Sequence, residues 1–195
     1  MSDILFIRHA ETDMAGTFCG HSDPDLNARG HEQTAELIDR LRSEDIGTIY
    51  TSDLRRAQTT AKAIASAFGV QCRARRALRE ISFGEWEGLT WKEIEERDEA
   101  YARQWMAAHP LLPTPKGEAF HNFEQRVLEE VAFLSTKAPE RSIAVVTHAG
   151  VLRTVLCSLH QCSEEDAWRR TKPYCAIVRH AVGASSRTQF VEACS

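Results

Sequence analysis

The run Ile143-Ala144-Val145-Val146-Thr147 constrains the fold more than any other stretch of the chain. It shows no alternation with polar residues and is rich in β-branched side chains, so it reads as a strand buried on both faces. Such strands belong to parallel sheets covered by helices on each side. Ile4-Leu5-Phe6-Ile7 has the same character, and Ile49-Tyr50-Thr51 and Gln71 to Arg75 are further strand candidates. Ala176-Ile177-Val178 and Gln189-Phe190-Val191 are late ones. Helical spacing separates them. Asn27 can cap a helix through Leu37 and Leu41, and Ser52 or Asp53 can cap one that runs to about Phe68 and stops at Gly69. Thr90 can cap a charged helix to about Arg97, a second helical stretch covers Ala100 to Ala108, and Phe120 to Leu134 and Val151 to Leu159 complete the set. The expected architecture is α/β: a three-layer α/β/α sandwich with a mostly parallel sheet, one domain over 1–195. The irregular region from about 78 to 117, with its glycines, tryptophans and prolines, is the expected insertion over the site.

With 195 residues, 43% of them apolar, the chain can bury a core without disulfide or metal staples. A net charge of −4 gives no basic footprint, so nucleic acid is not the expected partner. No stretch approaches the roughly 20 apolar residues of a membrane helix. The six cysteines form no C-x-x-C pair, and the cytoplasm is the expected compartment. Cys157, His160 and Cys162 lie close in sequence, but no second ligand pair stands at zinc-site spacing, so they read as packing residues and no metal is expected.

Chemistry is concentrated at strand ends. In a parallel sheet, ligands bind beyond the carboxyl ends of the strands. His9 follows the first strand and His148 follows the best one, each trailed by a small residue, Ala10 and Ala149, that lets a ligand approach the backbone. Arg8 precedes His9, and Arg56 opens the helix after the second strand, with Arg55 beside it reading as a solvated neighbour. A guanidinium matches a phosphate oxyanion in shape and charge. Two histidines and two arginines at one sheet edge form a local cationic pocket in an acidic chain. Glu80, in a loop packed on the domain, could serve there as a general acid, with Glu85 and Glu87 as competitors.

Four blocks in order carry a family resemblance: Arg8-His9-Ala10-Glu11-Thr12, Ser52 to Ala61, Leu78-Arg79-Glu80 with Gly84-Glu85-Trp86-Glu87-Gly88, and Thr147-His148-Ala149-Gly150-Val151. Together they resemble the histidine phosphatase, or phosphoglycerate-mutase-like, superfamily. The resemblance implies that His9 is a nucleophile forming phosphohistidine, that Arg8, Arg56 and His148 bind the phosphate, and that Glu80 protonates the leaving oxygen. It implies no cofactor. Thr12, Gly20, His21 and Ala149 are added as expected substrate contacts, while Trp86, Trp91 and Trp105 read as packing rather than substrate side chains. The blocks Phe18 to Gly30 and Lys116 to Val127 resemble the α-ribazole phosphatase-type members, which act on α-ribazole 5′-phosphate in cobalamin synthesis. The sequence departs from the family pattern at Ala10, Ala15 and Ala119, which bears on substrate choice more than on catalysis.

The expected activity is hydrolysis of a small-molecule phosphate ester. A phosphoglycerate mutase-type transferase, a broad-specificity phosphatase acting on phosphoserine or sugar phosphates, and a phosphate-sensing module are the alternatives. A homodimer is an open possibility for the assembly. The mutase reading lacks an arginine pair between Glu87 and Pro110, and pure sensing would not need Glu80.

Overall fold

The computed structural model describes residues 3–138, 141–182 and 189–191. A six-stranded sheet is flanked by helices: β1 (Asp3–Arg8), α1 (Ala28–Leu41), β2 (Ile46–Thr51), α2 (Arg55–Phe68), β3 (Gln71–Ala74), α3 (Trp91–Arg97), α4 (Glu99–Ala108), α5 (Phe120–Ser135), β4 (Ser142–Thr147), α6 (Ala149–Thr154), α7 (Glu164–Thr171), β5 (Ile177–Ala181) and β6 (Gln189–Val191). The strand order is β3-β2-β4-β1-β5-β6. The first four strands in that order are mutually parallel, β5 runs antiparallel to β1, and β6 at the far edge runs antiparallel to β5.

The doubly apolar strands behave as their composition requires. Ile4 and Phe6 of β1, with Ile143 and Val145 of β4, face a core completed by Phe123, Val127 and Val131 of α5. Leu5, Ile7, Ala144 and Val146 face the opposite core, with Leu37 and Leu41 of α1 and Ala57, Ala61 and Ile64 of α2. Successive side chains of a strand point to opposite faces, so an unbroken apolar run requires a helical layer on each side. The three-layer expectation is met.

Helix starts follow local chemistry, with one correction. Asn27 accepts from Gly30 N, and Thr90 forms a full capping box with Glu93. Neither Ser52 nor Asp53 caps α2. Its first turn follows Leu54, which makes no side-chain cap bond. The Arg55 N–H donates instead to the Asp23 carboxylate of a distant loop at 2.6 Å, and Asp53 is drawn away into a two-pronged pair with Arg79 at 2.7 and 2.8 Å. The apolar helix after β4 begins as α6 and loosens into a π-helical segment over Val155–Leu159. Helix α7 was not anticipated, although Ser163 before Glu164, Glu165 and Asp166 is a helix-start signature, and Ser163 does accept from Asp166 N.

Residues 78–117 carry 3-10 turns, α3, α4 and the proline loop around their own small core. Trp86, Ile94 and Ala102 are buried there against Phe18, Trp91, Tyr101 and Trp105. Gly84, at φ +54°, lies so close to this loop that a Cβ would sit 2.3 Å from the Pro115 carbonyl oxygen.

Phe6 is fully buried where both central strands meet α5. Phe6→Ala is expected to lower the unfolding free energy by about 3–5 kcal/mol in denaturant titration. Leu111→Ala, at a side chain 83% exposed, should change it by less than about 0.5 kcal/mol.

Candidate active site

The β1–β4 pairing brings the two strand-end histidines together. Arg8 pairs with Thr147 in the ladder, and the next residue extends it, with His9 N–H donating to Thr147 O at 2.9 Å. The His9 and His148 rings meet edge to face, their centroids 5.1 Å apart. His9 Nδ1 lies 2.7 Å from the Ala10 carbonyl oxygen. A carbonyl can only accept, so Nδ1 carries the proton and the neutral ring presents its lone pair at Nε2. Arg56 Nε donates to that Nε2 at 3.2 Å.

Both imidazoles are held neutral. Burial, then the charges of Arg56 and Arg8, push His9 well below its ordinary value of 6.5, against a smaller opposing effect of the Ala10 carbonyl. Burial, Arg56, His9 and Arg8 do the same to His148. An Nε2 lone pair free of a proton is what a nucleophile needs.

Arg56 is fully buried. Its guanidinium donates to the carbonyls of Ser22 at 2.6 Å, Cys19 at 3.1 Å and Gly20 at 2.8 Å. The N–H groups of the same loop turn the other way, onto Glu87, whose carboxylate accepts from Gly20, His21 and Ser22 N–H and from the Ser22 hydroxyl. Burial works against that charge, but the bonds from Ser22, His21 and Phe83 hold the carboxyl below its usual range. Residues 19–22 are thus clamped between a cation that takes their oxygens and an anion that takes their nitrogens.

Among the three candidate glutamates, Glu80 is the one at the histidines. Its Oε2 accepts from Gly150 N at 2.9 Å and its Oε1 from Ile81 N at 3.0 Å. Gly150 is required at this contact, since a Cβ would lie 2.0 Å from Glu80 Oε1. Glu85 is exposed and pairs with Lys116, and Glu87 is the loop clamp. The Glu80 backbone is fixed on both sides. Arg79 pairs with Asp53, and Arg126 donates to the carbonyls of Ala77, Arg79 and Glu80 while pairing with both oxygens of Glu118.

A cavity of about 1000 Å³ opens over His9 and Glu80, with Arg8, Thr12 and Ala149 on its wall. Trp91 and Trp105 line its outer side, so they face the ligand space as well as the insertion core, whereas Trp86 does not line it. Arg56 and His148 stand behind His9, fully buried. Gly20 and His21 stand off the cavity wall: Gly20 is held by Arg56 and Glu87, and His21 Nε2 contacts the Glu80 carbonyl at 3.1 Å. Arg55 is exposed and pairs with Asp25.

Sequence reasoning missed Tyr174, whose ring lies 4.2 Å beneath the Arg8 guanidinium. It also missed Arg153 on the cavity wall. Arg153 was findable, being one helical turn beyond Ala149; Tyr174 had no sequence signal.

Buried polar atoms are nearly always paired. Among the described residues, the buried side-chain atoms without a partner are Arg8 Nε, both ring nitrogens of His148 and Thr154 Oγ1, and Arg8 and Thr154 line the cavity itself. The remaining Arg8 bonds run to the backbone carbonyls of Thr171 at 3.1 Å and of Lys172. The unpaired Arg8 Nε and His148 ring beside the neutral His9 ring suit an oxyanion. Among the described residues no three His, Cys, Asp or Glu side chains are grouped to hold a metal.

Fold and site together define an enzyme that handles phosphate through histidine. The sequence pattern of the histidine phosphatase superfamily (branch 1) matches residues 4–191, and the chain belongs to that superfamily. It is 33% identical over 171 residues to the adenosylcobalamin/alpha-ribazole phosphatase of Escherichia coli (strain K12), covering 85% of this chain and 82% of the relative. It is also 33% identical over 168 residues to the metal-independent phosphoserine phosphatase of Arabidopsis thaliana, covering 84% and 71%. The crystal structure of the alpha-ribazole phosphatase from Shigella flexneri superposes with a TM-score of 0.84 at 27% identity, covering 97% of this chain and 95% of that one. The chain is a phosphoric monoester hydrolase of the histidine phosphatase type, acting on a small-molecule phosphate.

The depressed histidines set a pH signature. NMR titration should show neither His9 nor His148 protonating at or above 6.5, the ordinary value. A midpoint there would contradict the site electrostatics. Because the unfolded chain takes up these protons first, stability should fall as pH drops below 6.5 toward the lower folded-state values.

Proposed function

We propose that the protein hydrolyses a small-molecule phosphate monoester by two successive displacements at phosphorus, with His9 as the covalent carrier. The observation that carries this reading is the buried, unpartnered Arg8 Nε and His148 ring beside the neutral His9 Nε2. Arg8 Nε and the His148 ring take the phosphoryl oxygens, and Arg56 Nε gives up its contact with Nε2 to the same group while its guanidinium stays anchored on the loop carbonyls. Nε2 attacks phosphorus as the ester P–O bond breaks. The Glu80 carboxyl serves as the acid, its proton passing to the leaving oxygen to leave a carboxylate. It then takes a proton from water, whose oxygen attacks phosphorus as the N–P bond breaks. Phosphate leaves, and both residues return to their starting states. Fixed donors around the transferring group supply the electrostatic stabilisation, so no step needs a metal.

For the substrate, the breadth of the cavity and its aromatic outer wall of Trp91 and Trp105 support a ring-bearing ester such as α-ribazole 5′-phosphate. The likeness to the Escherichia coli and Shigella enzymes supports the same reading. Phosphoserine is the second reading, supported by the Arabidopsis relative. The cytoplasm is the proposed compartment, supported by the free cysteines at 19, 72, 157 and 162. Among the described residues no helix is long and apolar enough to cross a membrane.

Rapid quenching in alkali during turnover should trap acid-labile phosphate on His9, and His9→Ala should lose both the label and turnover. Turnover surviving in His9→Ala would overturn the mechanism. Glu80→Gln should slow hydrolysis of an alkyl phosphate by about 10²–10⁴-fold, the usual contribution of a general acid. The same variant should lower kcat/KM for p-nitrophenyl phosphate far less, because kcat/KM covers only the steps up to departure of the leaving group, which here needs no proton. Equal losses would remove Glu80 from the acid role.

A further inference from the structure

Helix α6 and its π-helical continuation present one face to the cavity. Ala149 and Gly150 come first, then Arg153 and Thr154, then Cys157 and Ser158. Gly150 holds the Glu80 carboxylate, so the leaving oxygen departs beside the first of these pairs. Arg153 and Thr154 lie one turn further along, about 5.4 Å. That is the reach of a substituent two or three bonds beyond the ester oxygen.

Arg153 and Thr154 have spare capacity for such a substituent. The Arg153 guanidinium is stacked 4.6 Å from the centre of the Trp168 ring. Stacking occupies its face and leaves its in-plane N–H donors free. Among the described residues it forms no hydrogen bond or ion pair with any acceptor. Burial holds it below its usual range, although Glu80, Cys157 and Glu164 favour its charge. Thr154 Oγ1 is buried without a partner on the same wall. Neither group is used by the phosphoryl cradle of Arg8, His9, Arg56 and His148. Glu164 and Glu165 also face the cavity but stand on the exposed first turn of α7, where water screens them.

We infer that Arg153 and Thr154 form a subsite for a carboxylate carried by the leaving group, and that this subsite sets which phosphate monoesters are turned over fastest. The planar guanidinium takes the two carboxylate oxygens side by side, and the Thr154 hydroxyl donates a third hydrogen bond. The inference rests on the hydrolase reading and deepens it. It favours small phosphorylated acids over esters whose leaving group is neutral, which sets the phosphoserine reading ahead of the α-ribazole one.

Two substrate pairs, each differing at the carboxylate, test it: phosphoserine against phosphoethanolamine, and 3-phosphoglycerate against glycerol 3-phosphate. The readout is the ratio of kcat/KM within each pair. In the wild type the carboxylate-bearing member should be preferred in both. Arg153→Gln should lower both ratios by about tenfold to a hundredfold, the usual worth of a charge-assisted hydrogen bond. Thr154→Val, nearly equal in shape, should lower them severalfold, and it decides the matter if Arg153→Gln fails to fold. A wild type without the preference, or ratios unchanged in the folded variants, would overturn the subsite. Phosphate release from phenyl phosphate by the wild type tests the hydrolase reading separately: its loss in His9→Ala leaves that reading standing even if the ratios do not move.

Discussion

The parallel pairing of β1 with β4 is the constraint on which the site depends. Its last ladder bond, from His9 N–H to Thr147 O, sets two side chains from residues far apart in sequence ring against ring. Side chains alternate along a strand, so a slip of one residue in this register would send His9 to the opposite face. The same slip would exchange the side chains of the two cores, because β1 and β4 each bury alternate residues in both. The same double burial that fixes the fold therefore fixes the distance between the histidines.

Around this pair, charge is placed so that each group lacks what it will need. Burial first, then the charges of Arg56 and Arg8, keep His9 and His148 unprotonated. Arg56 is anchored by carbonyls of a loop whose N–H groups are collected by Glu87. Glu80 is locked by Gly150 in front and by Arg126 and the Asp53–Arg79 pair behind. These fixed dipoles are oriented before substrate arrives, which is how preorganised donors stabilise a transition state without reorganising during the reaction. Much of this scaffold comes from residues that never face the cavity. Gly20 and His21 are examples: they serve the loop that holds Arg56.

The layers were legible because the β-branched runs at 4–7 and 143–147 admit little besides doubly covered strands. Asn27, Thr90 and Gly69 marked helix ends that local hydrogen bonds alone decide. The start of α2 was misread because its acceptor, Asp23, comes from a distant loop, and because Asp53 answers to Arg79 rather than to its own helix. The histidines, arginines and Glu80 were legible through their place at strand ends and their motif blocks. Choosing Glu80 over Glu85 and Glu87 was beyond periodicity, because the choice is made by a tertiary contact with Gly150. Tyr174 reaches the site only because β5 returns antiparallel beside β1, a closure with no local signature.

The central claim is that phosphate passes through a covalent bond to His9 rather than moving directly to water. Each in-line displacement inverts the configuration at phosphorus, so two in succession restore it. The most direct measurement is the stereochemical course at phosphorus, read on a phosphorothioate ester that carries two oxygen isotopes and is hydrolysed in water of the third, or on a phosphate ester made chiral with three oxygen isotopes and captured by an acceptor alcohol. Net retention is the predicted result. Net inversion would mean a single direct attack by water and would contradict the role assigned to His9.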